Sequence, residues 1–272
     1  MITNVCNLSC GGCITLCGLI PKDKLWFLPP DQLRYNIELI TQYMPSDHYS
    51  HLITLFGGEP TLHPKWKEII GILKTFPLQK FQIATNGRMS VPEDSQTRPA
   101  NESHRTMVSF AASNIELIID PKEKCDTEGR AFTPTLVAPI DYFPDKPKEY
   151  FWEQAKKVCP LWKGCGSIIY DNKGYICDVA GAMDQLEGGT KGWDVNPGKH
   201  PMDRTEKEIA EQGKNFCHRC AWSMFDKIGK TLENGTVIPW QDIHQPSIIS
   251  KTNLNLPLIN RDKRLNILDS SL

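Results

Sequence analysis

Apolar positions in the first half of the chain follow two alternating patterns. Short apolar runs at residues 1–5, 51–56, 81–85 and 115–119 have the length and composition of buried strands. Between them lie segments with helical spacing. Leu33, Ile37, Ile40 and Met44 form one apolar stripe behind Pro29-Pro30-Asp31, where Asp31 reads as an N-cap. Pro64 fits the first turn of a second helix, whose inner face is Trp66, Ile69, Ile70, Leu73 and Phe76. The pattern predicts a third helix around 105–112, a polar, turn-rich loop over 91–104, and a fifth strand over 135–140. Strand–helix–strand repetition calls for a parallel sheet with right-handed crossovers. The matching fold is α/β, a partial, open (β/α) barrel.

From Cys159 onward the alternation is lost, while cysteines return and glycines increase. This change divides the chain into a core over 1–146, a small C-terminal cysteine-rich extension over 147–225, and a tail over 226–272 that packs on the core. In the tail, Trp240, the apolar stretch 254–258 and the basic stretch 261–264 suggest that it packs partly on the core.

Chemistry enters with Cys6-Asn-Leu-Ser-Cys10-Gly-Gly-Cys13. Three thiols at Cys-x3-Cys-x2-Cys spacing suit a cubic iron–sulfur cluster with one iron left open, since most electron-transfer clusters take four cysteines. On spacing alone a zinc knuckle or a disulfide staple remains open. Gly11 and Gly12 let the loop wrap a bulky group. Cys17 reads either as a spare thiol under the cluster or as a small buried hydrophobe. The chain holds 10 cysteines in 272 residues, and no signal peptide precedes them. That usage points to metal ligation in a reducing, cytoplasmic compartment. Net charge is −1 at pH 7 and no basic run stands out, so nucleic acid is not implied as a partner. No apolar stretch approaches the length of a membrane span.

Two further motifs follow strands two and three: Phe56-Gly57-Gly58-Glu59-Pro60 and Ala84-Thr85-Asn86-Gly87. In parallel sheets and barrels the chemistry sits at the carboxyl ends of the strands, where all three motifs fall. Together they resemble the radical S-adenosylmethionine (SAM) enzymes. The resemblance covers residues 6–87 by motif and extends to about residue 140 by alternation. It implies a partial (β/α) barrel of the radical SAM type. Cys6, Cys10 and Cys13 would bind a 4Fe–4S cluster whose fourth iron is chelated by SAM. Reductive cleavage of SAM would give a 5′-deoxyadenosyl radical that abstracts a substrate hydrogen. Gly57, Gly58, Glu59 and Pro60 would meet the methionine ammonium, and Thr85 and Asn86 would shape the cleft wall near SAM. Asp120 and Lys122 would reach the ribose hydroxyls and the SAM carboxylate, or stand as solvated charges.

The later cysteines form a second set. Cys217-His-Arg-Cys220 is a Cys-x2-Cys hook, and Cys165 and Cys177 flank a hairpin over 167–176 centred on Asp171-Asn172-Lys173-Gly174. Spacing allows zinc or a 4Fe–4S cluster. The arrangement resembles the auxiliary-cluster extensions called SPASM or, when shortened, twitch domains, which implies one auxiliary 4Fe–4S cluster. Cys159 and Cys165 compete for one ligand position, and proximity to the hairpin favours Cys165. Cys125 and His218 read as bland, the histidine as solvated.

The resulting expectation is an oxidoreductase-type radical SAM enzyme acting on a small molecule, with a peptide substrate as the alternative. A reductant such as flavodoxin or ferredoxin would be its partner. Only five residues precede Cys6, which favours the small molecule or marks a truncated start. A zinc-stapled binding module is the competing class.

Overall fold

The structure, a computed structural model, describes residues 1–8, 13–17, 20–42, 52–87, 95–99, 106–110, 114–119, 138–164, 167–195 and 203–237. Met44, Asp120, Lys122, Cys125, Trp240, 254–258 and 261–264 lie outside the described residues.

Strand β1 (Leu52–Leu55) runs parallel to β2 (Lys80–Thr85), with Leu52 opposite Lys80 and Leu55 opposite Ile83. Strands β3 (Ser95–Pro99) and β4 (Thr106–Phe110) follow as an antiparallel pair, and β5 (Ile115–Ile119) returns parallel to β2. The sheet order is β1-β2-β5-β4-β3. Phe81 and Ile83 alternate into the core, as the two-residue period of a strand requires. Helices α1 (Pro30–Gln42) and α2 (Trp66–Lys74) supply the other half of that core, with Leu33, Ile37, Ile69, Ile72 and Leu73 packed on Phe81, Ile83, Ile115 and Leu117. Each such side chain removed from water contributes about 1.5–3 kcal/mol.

The sequence reading is corrected in several places. Asp31 stands inside the first turn of α1, because Pro30 takes the first helical position and Leu33 N–H bonds the Pro29 carbonyl at 3.0 Å. Ile40 is only half-buried, and Asn36 and Leu39 complete the inner face. The helix expected around 105–112 is replaced by β4. Its Thr-Met-Val-Ser-Phe run is rich in β-branched and aromatic residues, and the β5 edge offers it a partner. Part of the expected 91–104 loop is β3, a polar edge strand ending in Pro99, where a missing N–H costs no ladder bond. Of the strand expected over 135–140, residues 135–137 lie outside the described residues, and Pro139–Asp141 form a 3-10 turn.

Residues 2–5 lie alongside the end of β1. Ile2 N–H bonds Phe56 O, Gly58 N–H bonds Thr3 O and Glu59 N–H bonds Val5 O, at 2.8–2.9 Å. On the other side Asn4, itself buried, holds the 24–26 backbone with both ends of its amide.

Beyond residue 147 come α3 (Lys148–Val158), α4 (Pro160–Gly164), β6 (Ile168–Tyr170), β7 (Lys173–Tyr175), α5 (Asp178–Glu187), β8 (Trp193–Asp194) and α6 (Glu206–Phe216). Strands β6, β7 and β8 form a separate antiparallel sheet. The β6–β7 hairpin falls where the Asp171-Asn172 turn placed it, with Asp171 at φ 54°, a left-handed conformation that aspartate tolerates. The tail's described part, through Val237, includes Ile228 and Leu232, which pack with Phe151 and Met224. Neither sheet is closed on itself among the described residues.

One apolar core joins the N-terminal residues to the region beyond residue 147. Leu16 and Ile20, beside the first cysteines, are buried together with Trp152, Tyr170, Tyr175, Val179 and Phe216. Asn36 Nδ2 donates to Asp171 O at 3.1 Å, and Lys24 Nζ to Leu186 O at 3.4 Å, across the same junction.

Candidate metal centre

The three N-terminal motifs meet in space. Gly57 and Gly58 must lack side chains because residues 3–6 lie directly on them. A Cβ on Gly57 would stand 2.1 Å from Thr3 O, and one on Gly58 would stand 2.0 Å from Val5 O and 2.9 Å from Cys6 Cβ. The glycine pair therefore seats the extended segment that delivers Cys6, which pairs only through isolated bridges at Thr3 rather than as the expected strand.

Glu59 is fully buried and ties the motifs together. Its Oε1 accepts from Thr61 N at 3.1 Å, Thr61 Oγ1 at 2.5 Å and Thr85 Oγ1 at 2.6 Å; Oε2 accepts from Asn86 N at 2.7 Å. Sequence reasoning gave this carboxylate to a ligand, whereas four protein donors hold it here. Pro60 opens a 3-10 turn, Pro60–Leu62, whose N-cap is Glu59. Asn86 Nδ2 donates to Asn7 Oδ1 at 2.7 Å, linking the third motif to the residue after Cys6.

Cys6 and Cys13 are half-buried and not joined in a disulfide; Cys10, Gly11 and Gly12 lie outside the described residues. Cys6 Sγ accepts from Leu8 N at 3.4 Å. Thr15 Oγ1 stands 3.1 Å from Cys13 Sγ, 3.1 Å from Cys17 Sγ and 3.4 Å from Gly57 O. The Cys17 contact is the main reason the Cys13 thiol is held down to about 6, with Thr15 adding to it and burial opposing. Cys17 is pushed above the ordinary thiol range by Cys13 and by burial. Thr15 and Asn7 were missed by sequence reasoning. Their signal was position alone: single polar residues adjoining cysteines.

The later group is assembled from helix ends. Cys159 caps the C-terminus of α3, Cys177 precedes α5, and Cys217 caps the C-terminus of α6 with Cys220 one 3-10 turn further on. Cys159 and Cys220 are buried in the shared core, and Cys177 and Cys217 pack against it. Burial pushes Cys177 up to about 12 and lifts Cys217 and Cys220 well above the ordinary thiol range. Cys159 adds to all three shifts, so the four thiols lie within reach of one another's charge. Cys165 lies outside the described residues. His218 is buried rather than solvated. Its Nδ1 pairs with Lys214 O at 2.9 Å, and burial lowers its pKa to about 4.

No disulfide forms among the seven described cysteines. Among the same residues no three His, Cys, Asp or Glu side chains are close enough to hold a metal ion as they stand. In chemistry the donor set fits a thiolate-bound group, being soft thiols in apolar surroundings on loops and helix ends. No helix is long and apolar enough to cross a membrane among the described residues. No family model matches this chain, and no curated protein matches it.

Proposed function

We propose that the chain is a radical SAM enzyme of oxidoreductase type with a partial (β/α) barrel core. The observation that carries this reading is the junction of three motifs. A Cys-x3-Cys-x2-Cys loop leaves the extended segment seated on Gly57-Gly58, and Glu59 joins that seat to Thr85-Asn86. Cys6, Cys10 and Cys13 would hold a 4Fe–4S cluster, and Cys159, Cys177, Cys217 and Cys220 a second, auxiliary one. When bound, the first cluster with SAM supplies a 5′-deoxyadenosyl radical for hydrogen abstraction. The protein's own part is to seat the cysteine loop, fix the Asn7–Asn86 contact at its rim, and keep water from the apolar junction between the two thiol groups. A small molecule is the favoured substrate class, with a peptide as alternative and a flavodoxin or ferredoxin as reductant.

The test is iron, sulfide and zinc content after anaerobic reconstitution, followed by dithionite and SAM. The expected result is about eight irons per chain with 5′-deoxyadenosine released. About four irons with that product would leave zinc, or nothing, at the later group. Zinc in both groups without product would replace the enzyme by a zinc-stapled binding module.

A further inference from the structure

We propose that Thr15 is a positioning residue for the N-terminal cluster, its hydroxyl donating to the Cys13 sulfur while its oxygen accepts from the Cys17 thiol. This rests on the cluster assignment above and adds a residue and a property to it: control of the cluster's reduction potential.

The geometry is built for one purpose. Thr15 and Cys17 are 4% and 1% exposed. Leu16 between them stands at φ 51°, a left-handed conformation costly for a bulky side chain. That turn, closed by Leu16 N–H on Cys13 O at 3.1 Å, places the Thr15 hydroxyl 3.1 Å from both sulfurs.

Proton counting then sets the direction. A threonine hydroxyl has one proton to give and lone pairs to accept with. Cys13 as a cluster ligand is a thiolate and can only accept. The Thr15 proton therefore points at Cys13, which is closer than Gly57 O at 3.4 Å. The Thr15 oxygen faces Cys17 at 3.1 Å, and the Cys17 proton is shared between that oxygen and the Cys13 sulfur it adjoins. Cys17 is thus a donor behind the ligand and not a ligand. A reduced cluster carries one more negative charge, so a donor at its thiolate favours reduction, and hydrogen bonds to the sulfurs raise the potential.

The experiment compares reconstituted parent protein with Thr15→Val, Thr15→Ser and Cys17→Ala. It follows the reduced-cluster EPR signal that changes on adding SAM, with iron and sulfide measured in parallel. At the parent's midpoint, Thr15→Val should lower the reduced-to-oxidised ratio about tenfold, or about 59 mV for one electron. Thr15→Ser should stay within about twofold of the parent, and Cys17→Ala should fall in the same direction by about twofold to threefold. A Thr15→Val ratio within about twofold of the parent at full iron content would overturn the relay. So would a Thr15→Ser value as low as that of Thr15→Val, because the methyl group would then be what matters. If Thr15→Val fails to hold iron, Cys17→Ala decides, and an unchanged ratio overturns the relay. A parent with iron but no SAM-sensitive signal would sink the functional reading itself and the relay with it.

Discussion

The two cysteine groups use one donor chemistry built in two ways. The first lies within a single loop and leans on local polar contacts: Thr15 on Cys13, Leu8 N–H on Cys6, and Asn86 on Asn7. The second is gathered from the ends of α3, α5 and α6 into an apolar core. Their thiols respond oppositely: Cys13 is drawn down to about 6, while burial pushes Cys177 up to about 12. A loop that stabilises a thiolate in advance is suited to a group that must stay reactive and open on one side. Buried thiols that resist ionising alone are suited to a closed site in which the metal itself supplies the positive charge.

The largest expected break separates the groups outright. Cys13→Ala should abolish 5′-deoxyadenosine formation and lose about half the iron, while Cys159→Ala should lose the other half. Equal iron in Cys159→Ala and the parent, together with loss in Cys165→Ala, would hand the fourth ligand position to Cys165. This is also where the sequence stopped being informative. The first group was legible because its ligands are three and four residues apart, and chain connectivity alone brings them together. The second depends on where α3 and α6 end, and a cysteine eight residues before the hairpin's edge cannot be preferred or dismissed from spacing. Proximity to Gly166 favoured Cys165, but Cys159 reaches the other thiols by packing of Trp152, Ala155 and Phe216, which no linear pattern displays.

Next in size is the seat of the first group. In Gly58→Ala the new methyl meets Val5 O at 2.0 Å, a backbone atom that cannot rotate aside. Stability should fall by about 3 kcal/mol in denaturant unfolding. A loss under about 1 kcal/mol would mean that residues 3–6 do not lie on the glycines. The motif Gly-Gly-Glu-Pro stood out in the sequence, but its packing duty did not. The chain that covers it lies more than fifty residues earlier, and contact across that distance is invisible to local reading.

Each group has a polar tie, and the two should differ in strength. Glu59 joins the second and third N-terminal motifs through a carboxylate. In the later group Gln212 of α6 accepts from Ile176 N at 2.9 Å and donates to Gly174 O at 3.0 Å, joining the Cys217 helix to the Cys177 strand. Hydrogen bonds to charged groups outweigh neutral ones. Glu59→Gln, which turns an amide N–H toward a backbone or hydroxyl donor, should cost about 2–3 kcal/mol. Gln212→Leu should cost about 1–2 kcal/mol. The reverse order in thermal unfolding would place the stronger polar lock in the apolar group and undo the contrast.

The smallest effect is the pH response of His63, in the first region. His63 is buried between Leu28 and the turn after Glu59. Lys65 N–H donates to its Nδ1 at 3.1 Å, so Nε2 carries the proton and donates to Leu28 O at 2.9 Å. Both bonds require neutral imidazole, because a proton on Nδ1 would displace Lys65. Burial lowers the pKa from its ordinary 6.5; the Leu28 carbonyl and Glu68 oppose this, and Lys65 adds to it. The unfolded imidazole therefore takes up a proton at higher pH than the folded one. Stability is fully present above about pH 6.5 and declines as pH falls through the folded value. The loss should stay under about 1 kcal/mol, the scale of one hydrogen bond. An imidazole resonance assigned through His63→Gln should titrate below 6.5. A midpoint at or above 6.5 would show that the strap from Leu28 to the Glu59 turn admits a charged ring, and that the first region is less tightly closed than its hydrogen bonds require.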